Sequence, residues 1–294
     1  MKVCFLSWHF STPEIFLNSL IKMTPNCSGK WKDMEAITDP FKADFCVIMD
    51  GYSGSFPEDR AIYVGEHPRV EGFCPTFRKW EDKKALLKLN LDENVNPGEW
   101  WIKYTYDDLM GLKPPKKEKD LCCIMTYQTH NTMYLQRPKF MQEVCKYFPN
   151  VEIYGRPTEN FQQDDILSKH YKGYLGFNKP DGKIGEHLLG KEVVGDYRYS
   201  LEFDVGPTRN YFSERFYDAL LLWTKPIYFG SNNVHDFIPK EAFNYINIYD
   251  LSSAKTIPDI VNTEINYKSI SEARYLLLNK YQWWAYIYER IKDL

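Results

Sequence analysis

The sequence predicts an α/β chain of two halves, each built on a parallel sheet. Three observations lead there. Short continuous apolar runs alternate with amphipathic stretches, a segment rich in Asn, Pro, Gly and Lys interrupts the pattern, and the β-α-β order then starts again. At 294 residues the chain is long for one domain and suits two of roughly 100 to 150 residues each. A hydrophobic fraction of 44% and a charged fraction of 26% suit a globular chain with a sizeable core, which excludes disordered and collagen-like readings.

Lys2 to Trp8 is a first buried strand, and Pro13 to Met23 the amphipathic stretch after it. Asp44 to Met49 (DFCVIM) reads as a second strand and Ala61 to Val64 as a third, which ends in Gly65-Glu66-His67-Pro68. Uninterrupted apolar strands indicate a parallel sheet covered on both faces, where ligands collect at the carboxyl ends of the strands. Glu66 and His67 follow such an end. From Leu91 to Lys119 the pattern breaks, apart from the aromatic island Trp100 to Tyr104, and this marks the domain boundary. Within it, Lys113 to Lys119 (KPPKKEK) reads as a solvated linker.

Beyond the boundary, Leu121 to Met125 is a new first strand, Arg137 to Phe148 a helix, and Val151 to Tyr154 a strand ending in Gly155-Arg156-Pro157. Tyr199 to Phe203 is a strand, Ser213 to Trp223 a helix, and Pro226 to Phe229 a strand closed by Gly230. Ile270 to Asp293 reads as one final amphipathic helix.

Composition narrows the function. The formal net charge of -3 gives no basic footprint for nucleic acid. The seven cysteines lie mostly in apolar runs without CxxC or His/Cys ligand spacing, so neither zinc nor a disulfide framework is expected. Reduced thiols, a start unlike a signal peptide and no apolar window of about 18 residues lead to the expectation of a cytoplasmic protein without an integral membrane segment. No Asp-x-Asp follows a strand of the first half, and Asp107-Asp108 and Asp164-Asp165 are not that motif, so no metal requirement is expected. Most of the 22 Tyr, 18 Phe and 8 Trp are expected to fill core, and the remainder offer flat surfaces for sugars or bases.

The most informative stretch runs from Tyr197 to Ser231, YRYSLEFDVGPTRNYFSERFYDALLLWTKPIYFGS. A strand ends in two acids, Glu202 and Asp204. A loop then leads to Ser213, which reads as a helix N-cap, with Glu214 in the first turn. Free amides at a helix start suit a diphosphate, and Arg215 adds a permanent cation able to clamp phosphate oxygens.

Read as a string, this region resembles the α-1,3-fucosyltransferase family. Glu202-Phe203-Asp204 falls on the family's Phe-Glu-Asn strand end, and Tyr211-Phe212-Ser213-Glu214-Arg215 on its Tyr-x-Thr-Glu-Lys element. Pro226 to Gly230 matches its Pro-x-x-x-Gly strand, and Asp236-Phe237-Ile238-Pro239 its Phe-x-Pro segment. Gly65-Glu66-His67-Pro68 looks like its Glu-x-Pro element, Tyr104 to Asp108 like its Thr-Tyr-Arg-x-Asp-Ser-Asp segment, and Arg137 with Gly155-Arg156 like the first unit of its C-terminal domain.

The resemblance implies a GT-B fold, two Rossmann-like domains facing across a cleft. The acceptor side would occupy 1–105, the nucleotide-sugar domain 106–275, and a C-terminal helix, 276–294, would return to the first domain. It also implies an inverting transfer in which an acceptor hydroxyl attacks the anomeric carbon of a nucleotide sugar. Glu66 is then the catalytic base, with His67 as its support. Arg156 and Arg215 are assigned to the leaving diphosphate, with Arg137 in support. Glu202 and Glu214 are assigned to donor hydroxyls or the developing positive charge, and Tyr211 to the donor sugar or base; Ser213 and Asp204 complete the donor set.

The implied partners are a nucleotide-sugar donor, first GDP-L-fucose, and a glycan acceptor, in the cytosol of a bacterium or a virus-infected cell. Two positions depart from the family pattern: Arg215 stands for its lysine and Asp204 for its asparagine. An anion beside a diphosphate is costly unless it meets a hydroxyl or an arginine such as Arg209. A UDP-sugar such as UDP-xylose is therefore the alternative donor, and a catalytically silent glycan-binding protein the alternative of another class.

Overall fold

The structure, a computed structural model, describes residues 1–7, 10–65, 84–91, 93–128, 132–156, 158–175 and 190–294. Among the described residues the strands form two six-stranded sheets. The first has the order β2-β3-β1-β4-β5-β6, from β1 (Lys2–Ser7), β2 (Lys30–Trp31), β3 (Met34–Ala36), β4 (Phe45–Met49), β5 (Ala61–Val64) and β6 (Leu87–Leu89). Only the short β2–β3 hairpin is antiparallel. The second has the order β12-β11-β10-β7-β8-β9, all parallel, from β7 (Lys119–Ile124), β8 (Glu152–Tyr154), β9 (Tyr171–Gly173), β10 (Tyr197–Phe203), β11 (Lys225–Phe229) and β12 (Asn244–Tyr245). Two such α/β sheets are the architecture of the GT-B expectation.

The long apolar runs became central strands because both their faces are covered: β1, β4 and β5 are buried almost throughout, as are β10 and β11. The edge strands β2, β6, β9 and β12, and β3 next to an edge, have two or three residues each, too few to show a period in the sequence.

The helices are α1 (Pro13–Leu20), α2 (Tyr106–Gly111), α3 (Thr132–Tyr147), α4 (Glu159–Gln162), α5 (Leu167–His170), α6 (Glu214–Leu221), α7 (Ile257–Val261), α8 (Tyr267–Leu276) and α9 (Trp283–Ile291). Two of the helices expected from the sequence differ in the structure. Arg137 does not open α3, which begins at Thr132 and carries Pro138 inside it. Proline favours a first turn, so the sequence pattern placed the start too late. The single final helix is in fact broken: α8 runs into a π-helical turn at Leu277–Tyr281, and the extended Gln282 then caps α9 by accepting the Trp284 N–H.

The break has a partner elsewhere in the chain. Gly98 donates its N–H to the Tyr281 carbonyl at 2.7 Å and accepts the Trp283 N–H at 3.2 Å, taking up backbone groups that a continuous helix would have bonded internally. Downstream, α9 lays Trp283 and Trp284 edge-on against Phe5, with centroids at 6.5 and 5.1 Å, and the Trp284 indole donates to the Leu20 carbonyl at 2.9 Å. The crossing leaves no room at Gly98, where a Cβ would lie 1.8 Å from the Tyr217 ring. Gly98→Ala is expected to lower stability by about 1–3 kcal/mol, read as a reduced urea midpoint at unchanged slope.

The basic segment Lys113 to Lys119 is only partly the solvated linker that its composition suggests. The Lys117 ammonium turns inward and donates to the carbonyls of Tyr197 (2.8 Å) and Leu222 (3.0 Å) and to the Thr224 hydroxyl at 2.5 Å. Burial pushes this amine down to about 7. The long methylene stem lets one lysine of a polar run reach three acceptors beneath the second sheet.

Candidate functional site

The site grows from the end of β10 and the start of α6. β10 lies between β7 and β11, with alternate residues on opposite faces. Phe203 meets Phe140 of α3 edge-on at 6.0 Å, whereas Glu202 faces α6 and lines a small cavity with Ile124, Lys191, Val194, Arg215 and Asp218. Glu202 is 2% exposed, and burial pushes its carboxyl up to about 8 against the opposing pull of Arg215 and Lys191. It can therefore hold a proton at neutral pH.

Asp204 follows the strand and is equally buried. Its Oδ2 accepts the Tyr228 hydroxyl at 2.5 Å and the Ser213 N–H at 3.3 Å. Of the two compensating partners the sequence offered, the structure supplies the hydroxyl: Arg209 is exposed to solvent. Burial still raises the Asp204 carboxyl, and its Oδ1 has no hydrogen-bond partner among the described residues.

Ser213 occupies the N-cap position of α6, but its side chain makes no capping bond; its backbone N–H goes to Asp204 instead. Glu214 follows in the first turn. Burial alone would raise its carboxyl, but Lys191, 3.0 Å away, and Arg215, 3.9 Å away, outweigh that and hold it down at about 2. Arg215 is held firmly in its charged form: burial opposes the charge, but Glu214, Asp204 and Glu202 overcome it. Tyr211 is half-buried near Arg215.

Arg137 reaches this cluster from α3. It is 5% exposed, stacks over Tyr134 at 4.7 Å, and leaves Nη2 without a hydrogen-bond partner among the described residues. Burial first, and the neighbouring Arg215 second, lower it to about 10. Arg156 lies apart. It is exposed at the carboxyl end of β8, just after Gly155, a glycine with φ +147° whose Cβ would strike the Met125 carbonyl. Glu66 and His67 lie outside the described residues; the chain leaves β5 at Val64, and Gly65 bonds the Leu89 carbonyl at 2.9 Å.

Two members of the cluster escaped the sequence reading. Lys191 is 3% exposed and pairs with Asp218 at 3.5 Å as well as with Glu214. Burial lifts Asp218 to about 7 against the pull of Lys191, and the Trp101 N–H donates to it at 2.8 Å. One signal was present. Glu214 and Asp218 stand one turn apart on α6, a like-charge pair whose only cation within the helix, Arg215, follows Glu214 directly, so a second cation from elsewhere in the chain is called for.

The arrangement thus holds two guanidiniums that repel one another, the buried Arg137 with an unmade hydrogen bond and the partly exposed Arg215, beside carboxylates that supply hydroxyl acceptors. A polyanion with several oxygens fits such a pair. Among the described residues no cluster of potential metal ligands occurs, and no helix is long and apolar enough to cross a membrane.

Comparison with known proteins agrees with the motifs. The chain is 19% identical over 191 residues to Alpha-(1,3)-fucosyltransferase B of Drosophila melanogaster, a span of 65% of this chain and 39% of that protein. It therefore spans about two-fifths of the length of that curated relative. Solved structures similar to it include an alpha1,3-fucosyltransferase with GDP-fucose, at 15% identity over 94% of this chain and 81% of that one, TM-score 0.43. Another alpha1,3-fucosyltransferase structure is similar at 13% identity over 96% and 81%, TM-score 0.48. Residues 114–292, more than half of the chain and all of the second sheet, match the family described as "Glycosyltransferase family 10 (fucosyltransferase) C-term", and the chain belongs to that family.

Proposed function

We propose that this chain is an inverting glycosyltransferase that moves fucose from GDP-L-fucose to a hydroxyl of a glycan acceptor, without a metal ion. The observation that carries the reading is the pairing of the buried Arg137, with its unmade bond at Nη2, and the partly exposed Arg215, beside Asp204 and Glu202 in a chain of the fucosyltransferase family. A diphosphate would relieve the repulsion between the two guanidiniums and take up the free N–H. As the bond from the anomeric carbon to the phosphate oxygen breaks, the charge left on GDP meets these two cations. The acceptor oxygen forms the new bond on the opposite face, and its proton passes to Glu66. Glu202 and Glu214 orient donor hydroxyls, Tyr211 contacts sugar or base, and the exposed Arg156 meets the outer part of the donor.

A panel of sugar nucleotides tests the reading. Turnover is expected with GDP-L-fucose and is expected to survive excess chelator, because guanidiniums supply the positive charge. Glu66→Gln is expected to lower turnover by about 10²- to 10⁴-fold, in line with loss of a general base; full activity in that variant would remove Glu66 as base. Asp204 and Arg215, which stand where the family has asparagine and lysine, favour a second reading with a UDP-sugar donor. Turnover of UDP-sugars alone would select it. Among the described residues the cysteines are free thiols, which supports a reducing, cytosol-like setting.

A further inference from the structure

The buried ion cluster does more than surround Arg215; it ties that arginine to the other half of the chain. The Trp101 backbone N–H, from the aromatic island before β7, donates to Asp218 Oδ1 at 2.8 Å. Asp218 Oδ2 lies 3.5 Å from Lys191 Nζ, and the same ammonium lies 3.0 Å from Glu214 Oε1 and 4.7 Å from the centre of the Trp101 ring. Glu214 Oε1 in turn lies 3.9 Å from Arg215 Nη1. The island is itself pinned from below, because Lys22 of the first half donates to the carbonyls of Trp100 (2.8 Å) and Ile102 (3.0 Å). A second strap runs alongside: the Lys103 N–H donates to Glu192, the neighbour of Lys191, at 2.6 Å.

We propose that Lys191 is a positioning residue for Arg215, held between Glu214 and Asp218 so that the phosphate-facing guanidinium keeps one orientation relative to the Trp100–Tyr104 island. Lys191 is almost fully buried, and its ammonium is occupied by Glu214, Asp218 and the Trp101 ring, so it acts through Glu214. Without the ammonium, Glu214 has only Arg215 to pair with and draws it away from the ligand side. A lysine whose role were only to fill the fold would change the amount of folded protein and leave the constants of the folded fraction alone.

The inference rests on the donor-site reading, and a double-mutant cycle separates the two. Lys191→Met, Arg215→Met and the double variant are assayed with the sugar nucleotide that the wild type turns over, on folded protein quantified by circular dichroism. Lys191→Met is expected to raise the donor KM about 10-fold or more, and the double variant to be no worse than Arg215→Met, since residues acting as one unit are not additive. Effects that multiply, or unchanged constants in Lys191→Met, overturn the proposal while leaving the donor-site reading intact. If Lys191→Met does not fold, Asp218→Asn replaces it in the cycle, because the amide oxygen still accepts the Trp101 N–H while the charge facing Lys191 is gone. The same non-additivity with Arg215→Met is then expected, and independence again overturns the proposal. Wild-type protein that neither binds GDP or UDP nor turns over any sugar nucleotide defeats the donor-site reading itself, and the positioning role falls with it.

Discussion

Arg215→Ala is expected to lower kcat/KM for the sugar nucleotide by about 10²- to 10³-fold, the usual consequence of removing one preorganised donor from a developing negative charge. The reason lies in where the cation sits. Arg215 is surrounded by Glu214, Asp204 and Glu202 and stays charged at every accessible pH, so the site does not wait for a proton to become cationic. Its partner in the task, Arg137, is lowered to about 10 and remains charged at neutral pH. Arg215→Lys is expected to restore part of the activity: the family carries lysine here, but an ammonium is a point charge and loses the bidentate clamp. Steady-state kinetics with GDP-fucose, paired with the thermal shift produced by GDP, checks both statements. The shift should shrink in Arg215→Ala, because ligand stabilisation follows affinity by mass action. Unchanged kinetics and an unchanged shift would remove Arg215 from the donor site.

The second large effect is on stability as a function of pH, and Glu202→Gln is the variant that isolates it. The Glu202 carboxyl is raised to about 8, so the folded chain holds a proton that the unfolded chain has released. The stability tied to that proton is fully present below the ordinary glutamate range and is lost as pH rises through about 8. Converted at about 1.4 kcal/mol per pH unit, the loss is on the order of 5 kcal/mol. Asp218, raised to about 7, adds a loss of the same sign over a neighbouring window. Glu214 runs the other way. Held down at about 2, it contributes stability that is present above the ordinary glutamate range and disappears as pH falls through about 2. Chemical denaturation between pH 5 and about 9 should therefore show wild type losing ground to Glu202→Gln as pH rises, since an amide has no proton to lose. Parallel curves would mean that Glu202 is ionised in the folded protein throughout.

The sequence by itself determined the α/β class, the long central strands and the order of the motifs. The apolar runs of β1, β4, β5 and β11 are continuous because those strands are covered on both faces, and such a pattern can be read without coordinates. Glu202, Asp204, Ser213, Glu214 and Arg215 were legible as a group because they lie on one strand-loop-helix unit, where closeness in sequence is closeness in space. Even there, local rules misassigned roles. Ser213 looked like a side-chain cap, and Arg209 was the nearest cation to Asp204 along the chain, yet Tyr228, one strand over, is what meets that carboxylate.

Only the tertiary structure decided the rest, and the reason is the same each time: the partner lies far away in sequence. Lys191 becomes part of the cluster because a short 3-10 turn, Lys191–Asp196, packs beside α6. Trp101 joins because the aromatic island folds over the Lys191 ammonium. Lys117 turns from a linker charge into a buried donor because three acceptors converge beneath the second sheet. The final helix breaks at Gln282 because Gly98 takes the backbone bonds there. Periodicity and propensity report which residues leave water; which ions and backbone groups they meet there is set by packing between distant segments, and that packing gives Glu202, Asp218 and Glu214 their different protonation states.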